Sequence, residues 1–309
     1  MSEDENKKRR KKTSVIAVSN QKGGVGKTAT VVNLAMAFSQ MGDKVLVADF
    51  DWQGDASDWF GVKDLAKQNN RHIRYAIENE KKFNEIVYST NFEGVDIIAN
   101  EPNFNFTMRR LNGTKKQFKV VEKVLDCSQL NDYDIVIIDT HPSLDPLMDS
   151  VLAYAHYVLI PTVPEPHPYE GVATLMYVIN ETKKDDNPNL FVLGLLISNF
   201  DGSATHKKYK HKLMQDQKRT NLQVLSTDIS HIKDMKGAAS VKVPLASYKK
   251  TAGAIKVSQE FLLIAKELKG MLKGKRIGRP QPMISPEILN ALGTKQTSGL
   301  ENDLGVVEF

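Results

Sequence analysis

Residues 14–28 read SVIAVSNQKGGVGKT, an apolar run that leads into a glycine-rich loop containing two lysines. The apolar run predicts a buried strand, and the amphipathic pattern after it predicts a helix over 28–41. Backbone N–H groups of such a loop, together with the start of the helix, form a cradle for phosphate groups. Within this cradle Lys27 would reach the outer phosphates of a nucleotide, and the Thr28 hydroxyl would bind Mg²⁺.

Short apolar runs continue to alternate with amphipathic stretches as far as residue 272. Most of the runs are apolar without alternation, which is typical of strands buried on both faces of a parallel sheet. The repeated alternation predicts an α/β fold with a doubly wound, mostly parallel sheet flanked by helices. The predicted strands are Val15–Val18, Val45–Ala48, Val95–Ala99, Ile135–Ile138, Val158–Ile160 and Phe191–Ile197. Further predicted helices cover 115–126, 169–183, 205–219 and 254–272.

We expect one α/β domain over residues 13–273, with a segment of different character at each end. Residues 1–12 are a basic tail that we expect to be flexible. Residues 274–309 begin rich in glycine and proline and then become polar, so we expect a partly disordered tail. A short helix over Pro286–Leu292 is compatible with this tail, since Pro286 suits a first helical turn.

The composition excludes several classes of protein. The chain has 309 residues, of which 41% are hydrophobic and 26% charged, as in an ordinary globular protein. Its single cysteine, Cys127, excludes an internal disulfide framework, a four-cysteine zinc site and an intrachain iron–sulfur cluster. We find no apolar run of the ~18 residues that would cross a bilayer, and no apolar stretch behind the charged N-terminus. We therefore expect a cytoplasmic protein.

Positive charge is concentrated late in the chain. Residues 205–250 contain eleven lysines and arginines against three aspartates, whereas the net charge of the whole chain is only +5. Such asymmetry favours a surface that binds a polyanion. A solvated lysine-rich surface without a ligand would give the same count, so charge alone leaves both interpretations open.

The loop also allows a family to be suggested. The common pattern G-x-x-x-x-G-K-[ST] is not met, because position 21 is Gln21, but K-G-G-x-G-K-T resembles the deviant Walker A loop of the ParA/MinD ATPases. The neighbouring residues resemble the ParA branch. The resemblance implies a P-loop NTPase that uses ATP and Mg²⁺ and forms an ATP-bound homodimer, in which Lys22 reaches the nucleotide of the other subunit. The implied ATP-binding residues of the loop are Lys22, Gly23, Gly24, Val25, Gly26, Lys27, Thr28 and Ala29.

Two further segments resemble this family. VLVADFDWQGD at 45–55 is similar to its strand followed by D-x-D-P-Q-G-N, and YDIVIIDTHPSL at 133–144 is similar to its Walker B strand. The resemblance implies that Asp51 orients the attacking water, with Lys22 and Lys27 as the other catalytic residues. It also implies that Asp49 and Asp139 join Thr28 around Mg²⁺. Without the family, two carboxylates after a strand could equally be a helix cap or a surface turn.

The chain departs from the family pattern at two places in these segments. Trp52 and His141 both stand where the family usually has proline. Elsewhere, Asn199 follows the strand that ends near Ser198, at the place where related ATPases contact adenine, although an asparagine there is more often a turn residue.

The resemblance implies a partition ATPase that segregates DNA. The sequence leaves open whether the cargo is a plasmid or a chromosome, although its unusual ends favour a plasmid. The ATP-bound dimer would bind double-stranded DNA non-specifically on the nucleoid of a prokaryotic cell. A ParB-like centromere-binding protein would then stimulate hydrolysis and release. The basic residues that match the expected DNA surface in location are Lys207, Lys208, Lys210, Lys212, Lys233, Lys236, Lys249 and Lys250.

Other functions of the same superfamily remain as alternatives. A MinD-like membrane-associated positioning ATPase would end in an amphipathic helix with basic residues. The last ten residues, LENDLGVVEF, are acidic, so we expect no membrane binding. Relatives of the nitrogenase iron protein need cluster-binding cysteines, which one cysteine does not match. An amide-forming biosynthetic enzyme would need a substrate pocket that the sequence does not reveal.

Overall fold

The computed structural model describes residues 13–274, except 79, 168 and 170, together with 281, 283–285 and 287–288. The predicted flexible tail 1–12 lies outside the described residues. So does most of the predicted tail 274–309, including the greater part of the predicted helix Pro286–Leu292.

Within the described residues, seven strands form one sheet in the order β3-β4-β2-β5-β1-β6-β7. All neighbours pair in parallel except β3, which runs antiparallel to β4. The predicted fold class, a doubly wound and mostly parallel α/β sheet, is confirmed. The strands are β1 Ser14–Val18, β2 Val45–Asp49, β3 Val87–Ser89, β4 Val95–Ile98, β5 Ile135–Asp139, β6 Tyr157–Thr162 and β7 Phe191–Ile197.

Helices cover both faces of this sheet. They are α1 Lys27–Gln40, α2 Asp55–Trp59, α3 Lys63–Gln68, α4 Ile73–Ile77, α5 Phe83–Ile86, α6 Phe104–Leu111, α7 Val120–Leu125, α8 Pro146–Tyr154, α9 Val172–Asp185, α10 Ala204–Thr220, α11 Asp234–Ser240 and α12 Ala252–Gly274. Short 3-10 helices lie at Lys115–Lys119, Ser128–Asp132 and Leu245–Ser247.

Burial on both faces explains why the central strands are apolar without alternation. In β1, Val15 and Ala17 join one apolar cluster, while Ile16 and Val18 join the cluster on the opposite face. The first cluster packs against α8 and α9, and the second against α1 and α12. A sheet covered in this way has no solvated face along its central strands, so apolar residues fill them up to the aspartates that end β2 and β5.

The central strands and the longest helices match the predictions, whereas the short elements do not. The predicted single helix over 115–126 is wrong: a 3-10 helix is followed by α7, and Lys119 between them has φ −119° and ψ 19°, outside the α region. β3 has three residues and the helices α2–α5 have four to six, which is too short for a hydrophobic period to be read.

A short stretch beyond α12 packs against the edge of the sheet. The Gln281 side chain accepts a hydrogen bond from the Val192 N–H (2.9 Å) and donates to the Val192 carbonyl (3.4 Å), so it occupies part of the open edge of β7. Ile284 is buried, and its carbonyl accepts from Asn180 on α9 (2.7 Å). Part of the segment 274–309 is therefore anchored to the domain.

Candidate nucleotide-binding site

The glycine-rich loop connects β1 to α1 at the carboxyl edge of the sheet. Gly24 (φ 74°) and Gly26 (φ 81°) both lie in the left-handed region, where a side chain would be strained. Gly26 immediately precedes α1 and has no side chain to cap its free N–H groups. The first N–H groups of α1 therefore have no side-chain cap, which is compatible with the predicted anion cradle.

A buried asparagine and a glycine hold the beginning of this loop. The Asn20 amide donates to the Pro161 carbonyl at the end of β6 (2.7 Å), and its oxygen accepts from the Lys22 N–H (3.0 Å). Gly171, with φ 78°, lies directly against them: a Cβ there would be 2.7 Å from Asn20 Oδ1 and 2.9 Å from Lys22 N. The loop can therefore keep its position only while residue 171 lacks a side chain.

The end of the loop is held from β7. The Ser198 hydroxyl donates to the Val25 carbonyl (2.8 Å), and Asn199 Nδ2 donates to the Gly24 carbonyl (3.4 Å). Asn199 itself has φ 53°, a conformation that asparagine tolerates better than most residues. Asn199, the predicted adenine contact, thus lies against the glycine-rich loop.

The two lysines of the loop have different environments. Lys27 is 8% exposed, and burial lowers its pKa, although Asp139 and Asp51 act in the opposite direction. Its ammonium lies 3.4 Å from the Lys22 carbonyl. Lys22 is half-buried, and its Nζ lies 3.0 Å from Glu165 Oε2 in an ion pair within the same protomer.

Three aspartates gather at the edge where β2 and β5 end side by side, with Asp49 paired in register with Asp139. Asp139 is fully buried, and neither of its carboxylate oxygens has a hydrogen-bond partner. Burial raises its pKa well above the ordinary value, and the charges of Asp49 and Asp51 raise it further. The Thr28 hydroxyl and Lys27 act in the opposite direction without completing a hydrogen bond to it.

The carboxylates of Asp49 and Asp51 accept hydrogen bonds from the residues that follow them in the chain. Asp49 accepts from the Ser57 N–H (2.9 Å), the Ser57 hydroxyl (2.6 Å) and the Asp51 N–H (3.1 Å), and burial raises its pKa to about 7. Asp51 is nearly buried, and its carboxylate accepts from the Gln53 N–H (2.9 Å). Asn100, after β4, donates to the Asp51 carbonyl (3.1 Å).

This donor set fits Mg²⁺. Mg²⁺ typically takes one or two protein oxygens together with phosphate oxygens and water, rather than a complete cage of side chains. Among the described residues, no group of three His, Cys, Asp or Glu side chains forms such a cage. Asp139, with two unpartnered oxygens near the Thr28 hydroxyl, is the carboxylate that a cation would satisfy.

A cavity of about 330 Å³ opens beside the loop, on the side of β7. Lys22, Asn199 and Glu165 line it, together with His206 of α10 and His231. The beginning of α10 therefore lies next to the phosphate loop, although the two are about 180 residues apart in sequence.

The predicted basic residues lie on α10, around α11 and before α12. Seven of them are exposed: Lys207, Lys208, Lys212, Lys233, Lys236, Lys249 and Lys250. Lys210 is the exception, because it is half-buried and forms an ion pair with Asp228.

Sequence reasoning missed Asn20, Ser57, Asn100 and Gly171. Each supports the site from a distance in the chain or from a turn, and polar or glycine residues at such positions have no periodic signal. Only Gly171 could have been suspected, since it is a glycine inside the predicted helix 169–183, and a glycine there can mark a close approach of the backbone.

A parallel α/β sheet with a two-lysine phosphate loop beside a buried, unpartnered aspartate defines the class of P-loop nucleotide-binding proteins. Residues 13–192 match a family described as AAA domain. The chain is 34% identical over 193 residues to the chromosome-partitioning ATPase Soj of Thermus thermophilus, covering 62% of this chain and 72% of that protein. It is 33% identical over 193 residues to the chromosome partitioning protein ParA of Myxococcus xanthus, covering 62% and 66%.

The chain belongs to the ParA family of partitioning ATPases. Among solved structures, it resembles cobyrinic acid a,c-diamide synthase from Mycobacterium smegmatis with bound ADP and magnesium. The TM-score is 0.70 at 27% identity, over 89% of this chain and all of that one. In the described part of this chain, no helix combines the length and the apolarity needed to cross a bilayer.

Proposed function

We propose that this protein is an ATP-dependent DNA-segregation ATPase that hydrolyses ATP weakly in the presence of Mg²⁺. The main support for this proposal is that the two-lysine loop lies beside Asp139, a buried carboxylate without a hydrogen-bond partner. The 34% identity over 193 residues to a chromosome-partitioning ATPase supports this reaction.

In the proposed reaction, Lys27 and the N–H groups of residues 23–29 hold the phosphates. Thr28 and Asp139 would hold Mg²⁺, which supplies positive charge against the phosphates, and Asp49 would complete that site through its loop. Asp51 orients the attacking water. Phosphoryl transfer requires little more than such positioning and charge stabilisation.

ATP would act as a dimerisation switch through Lys22. In the single protomer Lys22 is paired with Glu165, so its charge is already satisfied. The phosphates of a nucleotide bound to a second protomer would compete for the same ammonium. A ligand can shift an equilibrium only through its different affinity for the two states, and a lysine that contacts phosphate only in the dimer supplies that difference.

The dimer would bind double-stranded DNA through the basic residues on α10 and around α11 and α12. Seven exposed lysines are available there, whereas Lys210 is engaged by Asp228. Contacts to phosphate carry no sequence information, so binding would be non-specific and sensitive to salt. A ParB-like centromere-binding protein would stimulate hydrolysis and release the dimer from the nucleoid of a prokaryotic cell.

The test is fluorescence anisotropy of a random-sequence duplex titrated with the full chain in Mg-ATP, in Mg-ADP and without nucleotide, at two salt concentrations. Tight, salt-sensitive binding only with ATP is expected. Replacing Lys207, Lys208 and Lys212 by alanine should weaken binding and lower the salt slope by about 0.9 for each DNA phosphate that is no longer neutralised.

The matched control replaces the exposed residues Lys115, Lys116 and Lys119, which changes the net charge equally on another part of the surface. Equal weakening by both triple variants would contradict a defined DNA surface. Binding that is indifferent to nucleotide would contradict the switch, and ATP-dependent flotation with liposomes would favour the MinD-like alternative.

A further inference from the structure

The two residues at which the chain departs from the family motifs lie against each other. The rings of Trp52 and His141 have centroids 3.9 Å apart with an interplanar angle of 33°. His141 is 1% exposed, while Trp52 is half-buried against the apolar core beneath it. Proline at either position would have no aromatic face, so this contact requires both departures together.

Trp52 is part of the tight turn that begins at Asp51. The Gly54 N–H donates to the Asp51 carbonyl (2.9 Å), which closes a tight turn with Trp52 inside it. Asn100 donates to the same carbonyl (3.1 Å). In so short a turn the backbone of Asp51 cannot move without moving the ring of Trp52.

His141 is fixed from the other side by Asp145. His141 Nε2 lies 2.9 Å from one oxygen of Asp145, and the other oxygen accepts from the Leu147 and Met148 N–H groups at the beginning of α8. Burial alone would raise the pKa of Asp145, but the hydrogen bonds and the electrostatic effect of His141 lower it, so the ionised carboxylate can accept a hydrogen bond from Nε2. His141 Nδ1 is buried and has no partner among the described residues.

These contacts form a continuous path from α8 through Asp145, His141 and Trp52 to Asp51. We infer that Trp52 and His141 are coupled positioning residues that hold Asp51 in place for hydrolysis. The inference rests on the proposed ATP hydrolysis at this site. Neither residue needs to touch the nucleotide for this role. The path joins the segment after β2 to the segment after β5, which are the two segments that flank the carboxylate cluster.

Ordinary core packing is the competing explanation. A residue that only fills space would affect stability but not the position of Asp51. Replacing such a residue would then lower the thermal midpoint and leave kcat unchanged. Coupled positioning residues behave differently, because once one ring is removed the second has nothing left to hold.

The experiment is a double-mutant cycle of Trp52→Leu, His141→Gln and the double variant, with Trp52→Phe as the conservative replacement. Leucine removes the aromatic face but keeps bulk, and glutamine keeps a donor for Asp145. ATP hydrolysis under saturating ATP, ATP affinity and thermal midpoint are measured for each. Phe191→Leu is the matched control, since its ring lies 6.5 Å from that of Tyr157, at the opposite end of the sheet.

Each single variant is expected to lower kcat about tenfold, in line with the sensitivity of positioned reactions to small displacements. ATP affinity should stay within about twofold, because neither ring belongs to the phosphate loop. The double variant should be no slower than the slower single one, and Trp52→Phe should be close to wild type. Additive effects, an unchanged kcat, or a decrease equal to that of Phe191→Leu would overturn the inference.

Amide hydrogen exchange of residues 51–54 provides a second measurement that does not depend on hydrolysis. His141→Gln should accelerate exchange in this turn without accelerating it in α10. Unchanged exchange would refute the coupling even in a protein that hydrolyses ATP. The absence of hydrolysis in the wild type would instead contradict the proposed function, while faster exchange would still support the coupling.

Discussion

Asp139→Asn is predicted to make the nucleotide-free protein more stable while removing its stabilisation by Mg-ATP. Asp139 is fully buried, its two oxygens have no partner, and Asp49 and Asp51 place negative charge beside it. An amide of the same shape carries no charge and can donate a hydrogen bond to a neighbouring carboxylate. The wild-type site is therefore arranged for a cation at the expense of its own stability.

The magnitude can be worked out from these contacts. A buried polar group without a partner costs about 1–3 kcal/mol. Two ionised carboxylates about 5 Å apart repel by ~3 kcal/mol at an effective dielectric constant of ~20. Protonation relieves much of this repulsion, since the pKa of Asp139 is raised, and the substitution also removes a favourable interaction with Lys27. The net gain expected is about 1–2 kcal/mol, or about 2 °C in Tm for a chain of this length.

The assay is thermal unfolding in EDTA and again in saturating Mg-ATP. In EDTA the variant should unfold at the higher temperature. In Mg-ATP the order should reverse, because a ligand at ~100 times its Kd stabilises the wild type by about 2.7 kcal/mol. Asp43→Asn is the control: both oxygens of Asp43 contact the Lys269 ammonium (2.7 and 2.6 Å), so this variant should be less stable. An Asp139→Asn protein less stable than wild type in EDTA would show that the charge of Asp139 does not destabilise the nucleotide-free protein.

Three further predictions concern other contacts of the site and the fold. Glu165→Gln should change the free energy of unfolding by less than about 1 kcal/mol and tighten the ATP-dependent dimer, because it frees Lys22; an unchanged dimer affinity in sedimentation velocity would contradict this role of Glu165. Gly171→Ala should weaken ATP binding about tenfold by calorimetry, since its Cβ would lie 2.7 Å from Asn20 Oδ1 at a backbone φ of 78°; wild-type affinity would show that the loop does not depend on this approach. Burial, and then Arg74, lower the pKa of His72 to about 4 despite the 3.3 Å contact with Glu101. As the pH falls, the imidazole is therefore protonated in the unfolded state before it is protonated in the folded state. The free energy of unfolding should fall by up to about 3 kcal/mol between pH 6.5 and 4. Urea titrations of His72→Gln should give a flatter profile, and an identical slope would be evidence against this origin.

The central part of the fold could be predicted because its signals are local. β1, β2, β5 and β7 are continuous apolar runs, and α1, α10 and α12 are long enough for their hydrophobic pattern to repeat. The short elements between β2 and β4 could not be read in this way. Helices of four to six residues are held by the core they pack on rather than by their own pattern, and β3 needs β4 as its partner.

The residues of the candidate site likewise divide into those that the sequence could predict and those that it could not. Lys22, Lys27 and Thr28 could be proposed as site residues from one stretch of 15 residues, since loop and helix follow each other along the chain. Their supports could not be assigned, because Asn20, Ser57 and Asn100 act through contacts with other segments. A polar residue in a turn looks the same in sequence whether or not it holds a catalytic loop.

Hydrophobic pattern and motif spacing along the chain were sufficient to predict the class of fold, the glycine-rich loop and the carboxylates that end two strands. These follow from hydrophobic periodicity and from glycine at left-handed positions, which depend on neighbours only a few residues away. Three features are visible only in the folded structure: the ion pair between Lys22 and Glu165, the lack of a hydrogen-bond partner for Asp139, and the ring contact between Trp52 and His141. Each of these depends on distances between segments far apart in the chain, and only the packing of helices on the sheet brings such segments together.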